Sequence, residues 1–250
     1  MIHITYKKKN IKITQVWFPA EEWKSFKTDL FFVHGVCEKK EKGVWQTFHT
    51  LLSDLTATNE DLMAAIHKNV RYEIRRNQKE DVTYRMYSSE EIEADSELLD
   101  KFATMYEAMY AEKGMKQTLN KEQMMLYAKT GALMISAMMM GEDAAVMHSY
   151  IVAEDKVRLL HSVSEFRKEE MDANFIARCN KRLHWEDMCY FKQSGRTEYD
   201  WGGVSSLENP NGIDAFKFKF GGSPFTYYNQ YEAGSFLGKV LLFGLKLKMK

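Results

Sequence analysis

YDWGGVSSLENPNGIDAFKFKFGG, residues 199–222, combines a glycine pair, a turn cluster and lysines set among phenylalanines, and the rest of the chain is read outward from it. Tyr199-Asp200-Trp201 has strand propensity, and Gly202-Gly203 then stops the strand and lets backbone approach a ligand with no Cβ in the way. Asn209-Pro210-Asn211-Gly212 is a turn signal, after which residues 212–220 fit a short helix carrying Phe216, Lys217 and Phe220, ended by Gly221-Gly222. The order strand, glycine turn, loop, helix presents N–H groups and a helix N-terminus to an anionic or carbonyl ligand, with Lys217 adding a mobile positive charge. On composition alone, a glycine pair beside a strand also marks a plain bend, and a lysine on a short helix is commonly solvated.

Upstream, His161-Ser162-Val163-Ser164 leads through a loop with Arg167 into the helical run ANFIARCNKRLHWEDMCYFKQSG and on to Tyr199-Asp200. YDxGG followed by GIxxFKxxFGG, with RYEIRRxxK at residues 71–79, resembles the Fem-type peptidoglycan-bridge aminoacyltransferases and their small acetyltransferase-like relatives in the GNAT superfamily. The resemblance covers roughly residues 60 to 222. It implies transfer of an acyl or aminoacyl group to an amine through a tetrahedral oxyanion. By match to the FK motif it assigns Lys217 to oxyanion or donor-phosphate stabilisation and Phe216 to the shape of the slot. Asp200 is then a proton acceptor or amine anchor, with a cap on the glycine turn as its structural alternative. Tyr199, Gly202, Gly203 and Arg167 complete the expected substrate contacts.

With 250 residues, 45% of them hydrophobic and 28% charged, the chain has the composition of an ordinary globular protein able to bury a core. Lys+Arg and Asp+Glu balance at 35 each, which removes any global attraction to nucleic acid and leaves only local patches. Cys37, Cys179 and Cys189 form no CxxC pair and fit a reducing cytosol. The N-terminus lacks an apolar signal region, and no run approaches the roughly 18 apolar residues that span a bilayer. The expected location is the cytoplasm, at most peripheral to the inner face of the membrane.

Residues 2–18 and 30–52 read as strands of a small sheet. From residue 59 to 79, Leu62, Ile66, Val70 and Ile74 recur every fourth position, predicting one helix whose other side carries Lys68, Arg71, Arg75 and Lys79. That basic stripe is either a solvated face or a phosphate contact through Arg71 and Arg75, and the Fem-type resemblance brings the second reading level with the first. Residues 82–87 form a strand, 96–112 a second amphipathic helix and 121–129 a third. Three strands follow at 132–140, 144–153 and 157–164, joined by short polar turns. A helix over 171–193, the strand at Tyr199, the short helix and a strand at 224–231 complete the order. The methionines, including Met138-Met139-Met140, read as core filling. His184, in mid-helix beside Trp185, reads as structural.

The fold class is therefore α+β, a GNAT-like mixed and mostly antiparallel sheet flanked by helices, with a shortened N-terminal β-rich subdomain. Domain boundaries are expected at 1–81, 82–232 and a basic apolar tail, 233–250. The tail packs as a terminal helix or strand, or touches a membrane surface. No metal and no tightly bound cofactor is expected. The loop SVSEFRKEE, residues 162–170, has no glycine, so the backbone cradle for a CoA pyrophosphate is missing. Three readings follow. The first is aminoacyl transfer from charged tRNA to a peptidoglycan-type precursor, small or lipid-linked. The second is acyl-CoA-dependent N-acetylation of an amino sugar or other small amine. The third is a non-enzymatic interaction protein on the same fold.

Overall fold

The computed structural model describes residues 1–19, 21–39, 44–165 and 172–248. In chain order the first elements are β1 (Ile2–Lys8), β2 (Ile11–Trp17), β3 (Leu30–Val36), β4 (Val44–Asp54), α1 (Asn59–Ala65), α2 (Lys68–Asn77) and β5 (Thr83–Tyr87). Next come α3 (Ser89–Ala94), α4 (Ser96–Glu112), α5 (Lys121–Lys129), β6 (Leu133–Met140), β7 (Asp143–Val152) and β8 (Lys156–Ser164). The chain continues with α6 (Ala173–Gln193), β9 (Glu198–Asp200), α7 (Gly212–Phe218), β10 (Ser223–Ala233) and α8 (Phe236–Lys248). The architecture is α+β, as the element order implied.

Two compact units form, residues 1–50, 203–210 and 224–250 in one and residues 51–202 with 211–223 in the other. They divide elsewhere than at residues 81 and 232, because strand pairing and helix packing join distant segments: β10 returns to pair with β3, and α2 packs on α6. In the first unit, β1 and β2 make an antiparallel hairpin, β2 runs parallel to β3, and β3 is antiparallel to β10. Val16, Trp23, Phe31 and Val33 form its core. Adjacent residues are buried in both strands, Val16-Trp17 in IKITQVW and Leu30-Phe31 in LFFVHGV, so each strand is covered on its two faces there.

In the second unit the end of β4 pairs antiparallel with β9, β9 parallel with β8, and β8, β7, β6 and β5 continue as an antiparallel meander. Helix α6 packs over β6, β7 and β8, burying Ile176, Cys179 and Leu183 against Val82, Met138 and Val146. Helix α4 also packs against β8. Met124 and Met138 are buried, as expected of core methionines, whereas Met139 and Met140 are half-buried. All three cysteines are free.

The helix expected over residues 59–79 is two helices. Ile66 leaves α1 with extended backbone, φ −72° and ψ 136°, and His67 caps α2 through its ring nitrogen. The break frees the His67 N–H to donate to the Lys219 carbonyl at 2.7 Å. Arg71 Nη1 donates to the Ala64 carbonyl at 2.8 Å, satisfying an acceptor at the end of α1. The apolar period hides the break because Leu62, Ile66, Val70 and Ile74 are all buried regardless. Helix α3 was also not foreseen; Ser88 and Glu91 close a capping box at its start.

Candidate active site

Helix α7 begins at a capping box: the Asn211 side chain accepts from the Ile213 and Asp214 N–H groups, and Asp214 reaches back to the Asn211 N–H. This starts a helix of about two turns, and Phe216 and Phe220 pack toward α6. Their rings lie 5.6 and 5.4 Å from the ring of His184, and Trp201 lies 4.7 Å from Phe220. Lys217, between those two phenylalanines, is half-buried. Burial pushes its pKa down from 10.5 to about 8, while the carboxylates of Asp200 and Asp214 pull it the other way. A lysine poised so close to neutrality exchanges its proton readily.

Asp200 is fully buried at the end of β9. Its Oδ2 accepts from Arg158 Nε at 2.6 Å, and its Oδ1 accepts from the Gly202 N–H at 2.9 Å. Pairing of β8 with β9 ends at Arg158 and Asp200, although β8 runs on to Ser164, so the site lies where the two parallel strands stop sharing hydrogen bonds. Gly202 sits at φ +70°, and a Cβ there would lie 2.5 Å from the Leu159 carbonyl oxygen. Gly202→Ala is expected to destabilise the chain by about 2 kcal/mol or more, read by denaturant unfolding, because it adds left-handed strain to that collision. An unchanged midpoint would contradict this.

Behind Lys217 lies a chain of buried hydrogen bonds. Tyr150 OH donates to Asp187 Oδ2 at 2.6 Å, and Tyr84 OH to Asp187 Oδ1 at 3.1 Å. His148 stands between Asp187 (Nδ1, 2.8 Å) and the Asn180 amide (Nε2, 2.8 Å). Because Tyr150 gives its one proton to Asp187, its oxygen accepts from Tyr199 OH at 2.8 Å. Tyr199 in turn accepts from His184 Nδ1 at 3.2 Å, which fixes His184 as the Nδ1–H tautomer with a lone pair at Nε2. Burial, then the neighbouring His148 and Lys217, hold His184 well below its usual pKa, so it is a neutral imidazole. Burial and the Asp187 charge keep both phenols protonated. A charged imidazole beside Lys217 would repel its ammonium; burial keeps the ring neutral, and the hydrogen bond to Tyr199 orients it.

No family model and no curated protein matches the sequence. Solved structures do match in shape. FemX superposes with a TM-score of 0.64 at 13% identity, covering 95% of this chain and 85% of FemX. The C-terminal domain of a putative lysylphosphatidylglycerol synthetase from Agrobacterium fabrum gives 0.59 at 12% identity, covering 98% and 85%. L-PGS from Bacillus licheniformis gives 0.55 at 11% identity, covering 96% and 83%. The chain has a Fem-like fold.

Within this Fem-like fold the expected residues fall into groups. Lys217, Phe216, Asp200, Tyr199 and Gly202 gather around α7 and the end of β9 in the second unit. Tyr199 lies inside the hydrogen-bonded chain, fully buried, and Gly202 presses on Leu159. Gly203 belongs to the first unit and is exposed. Arg71 is half-buried against the end of α1, whereas Arg75 is exposed on α2. Arg167 lies outside the described residues. Among the described residues, no group of three or more His, Cys, Asp or Glu is placed to hold a metal. His148, Tyr150 and Asp187 were not singled out from sequence. Their signal is polarity out of place: His148 and Tyr150 alternate on a strand buried along nearly its whole length, and Asp187 follows Leu183 by one helical turn on the face of α6 that meets the core.

Proposed function

We propose that the chain transfers an aminoacyl group from the ester of a charged tRNA to an amine of a cell-envelope precursor. The observation that carries this reading is Lys217: a half-buried lysine on α7 whose pKa burial pushes down to about 8, within the field of Asp200 at the end of β9 and of Asp214 on α7. The amine nitrogen attacks the ester carbonyl carbon, a C–N bond forms, and the C–O bond to the leaving ribose oxygen breaks. The Lys217 ammonium stabilises the oxyanion between these events and gives its proton to the departing oxygen; the proton shed by the amine restores it. Phe216 walls the slot beside it. Asp200, committed to Arg158 and to the Gly202 N–H, fixes the field around the ammonium.

An ester donor is favoured over acyl-CoA by the N-terminus of α6. There the Asp172 carboxylate already accepts from the Asn174 N–H at 2.9 Å, and a pyrophosphate would meet a negative charge. Exposed Lys68, Arg75 and Lys79, with the open ring of Tyr72, offer a phosphate backbone cations and a stacking surface on and just beyond α2. Thermal unfolding with charged tRNA, CoA and acetyl-CoA in turn tests the reading, since a ligand that binds only the folded state raises the midpoint. Charged tRNA is expected to raise it, with the shift falling as salt rises. A shift with acetyl-CoA alone would overturn the tRNA donor.

A further inference from the structure

Helix α8 ends the first unit, and its thirteen residues run about 20 Å. Its N-terminus is pinned. Ser235 Oγ bonds to Asp29 Oδ1 at 2.6 Å and accepts from the Gly238 N–H at 3.1 Å. Gly238 presses so closely on the Asp29 carbonyl that a Cβ would collide with it. Leu241, Leu242 and Leu245 are half-buried on one side of the helix, so its rotation is set.

The opposite side is apolar. Phe236, Val240, Phe243 and Leu247 fall at i, i+4, i+7 and i+11, and their exposures are 83%, 56%, 65% and 62%. Leu237 lies beside them, also exposed. A folded chain that leaves an ordered stripe of phenylalanine and leucine in water has a surface suited to being covered. Exposed Lys239 and Lys246 flank the stripe, and residues 235–250 contain no aspartate or glutamate.

We propose that this face of α8 docks on an anionic lipid bilayer, the helix lying flat with its phenylalanines and leucines in the interfacial layer and its lysines against acidic headgroups. Charge decides between occupants. A second copy of the helix would bring Lys239 and Lys246 against the same lysines, whereas an anionic headgroup layer neutralises them. Among the described residues no helix is long and apolar enough to cross a membrane, so the contact is peripheral. The proposal stands apart from the transfer chemistry, and its test needs no substrate.

Full-length protein is sedimented with sucrose-loaded vesicles of phosphatidylcholine alone, or of phosphatidylcholine with about one third phosphatidylglycerol. Binding to the anionic vesicles is expected to exceed binding to the neutral ones by about tenfold and to weaken with salt. Two double variants, Phe236→Ser with Phe243→Ser and Lys239→Glu with Lys246→Glu, should each lower it about tenfold while leaving the unfolding midpoint unchanged, since all four side chains are exposed. Equal binding to both vesicles, or binding indifferent to both variants, would overturn the proposal. So would a wild-type dimer in equilibrium ultracentrifugation that the phenylalanine variant converts to monomer, which would make the face a contact between copies.

Discussion

Lys217→Ala should lower amine acylation on the order of 10²–10³-fold, the loss typical when one charge stabiliser is removed from an oxyanion. Wild-type activity should fall above pH 8, where Lys217 loses its proton, and Lys217→Arg should keep part of the activity while moving that alkaline limb beyond the measurable range. The same group reports on stability with a definite sign. Between about 8 and 10.5 the unfolded lysine holds a proton that the folded one has released, so stability rises with pH through that window. Below pH 8 the full cost of burying the ammonium is present, and Lys217→Met should raise the stability at pH 7, by up to about 3 kcal/mol. A lysine variant that is inactive but no more stable at neutral pH would mean the ammonium is better compensated than its burial implies.

Arg158→Met is expected to cost about 3–5 kcal/mol, because it leaves the fully buried Asp200 carboxylate without the guanidinium 2.6 Å away. Denaturant unfolding would show it as a lowered midpoint with unchanged slope. Adding Asp200→Asn should recover most of the loss, since removing both charges is far cheaper than stranding one. The single variant also carries a kinetic signature. With Arg158 gone, the Asp200 charge acts on Lys217 without its counter-ion, so the alkaline limb of any residual activity should move upward from pH 8. A loss below about 1 kcal/mol would show that other groups satisfy Asp200.

Much of the chain's local structure follows from its pattern. The bounds of α4 and α5 agree with the apolar spacing of Leu98, Leu99, Phe102 and Met105 and with the glycines at 114 and 131. The meander strands lie within a residue of the expected positions because their turns, Gly141-Glu142 and Glu154-Asp155, punctuate unambiguous β-rich runs. The FK helix and the turn that precedes it were likewise readable from local chemistry alone. The break at Ile66–His67 was not, because it answers to the Lys219 carbonyl, more than 150 residues away in sequence.

What the sequence by itself determined is the order of most elements, the strand and turn at 199–212 and the presence of a lysine between two phenylalanines. Periodicity and turn chemistry act over a few residues and leave a local trace. Only tertiary structure decided that Lys217 has a pKa near 8, that Asp200 is ion-paired with Arg158, and that His148, Tyr150, Asp187, Tyr199 and His184 form one hydrogen-bonded chain. Those properties arise from removing charges and phenols from water beside partners that α6, β7, β8 and β9 bring together. Desolvation depends on what surrounds a group in space, which no local pattern of residues records.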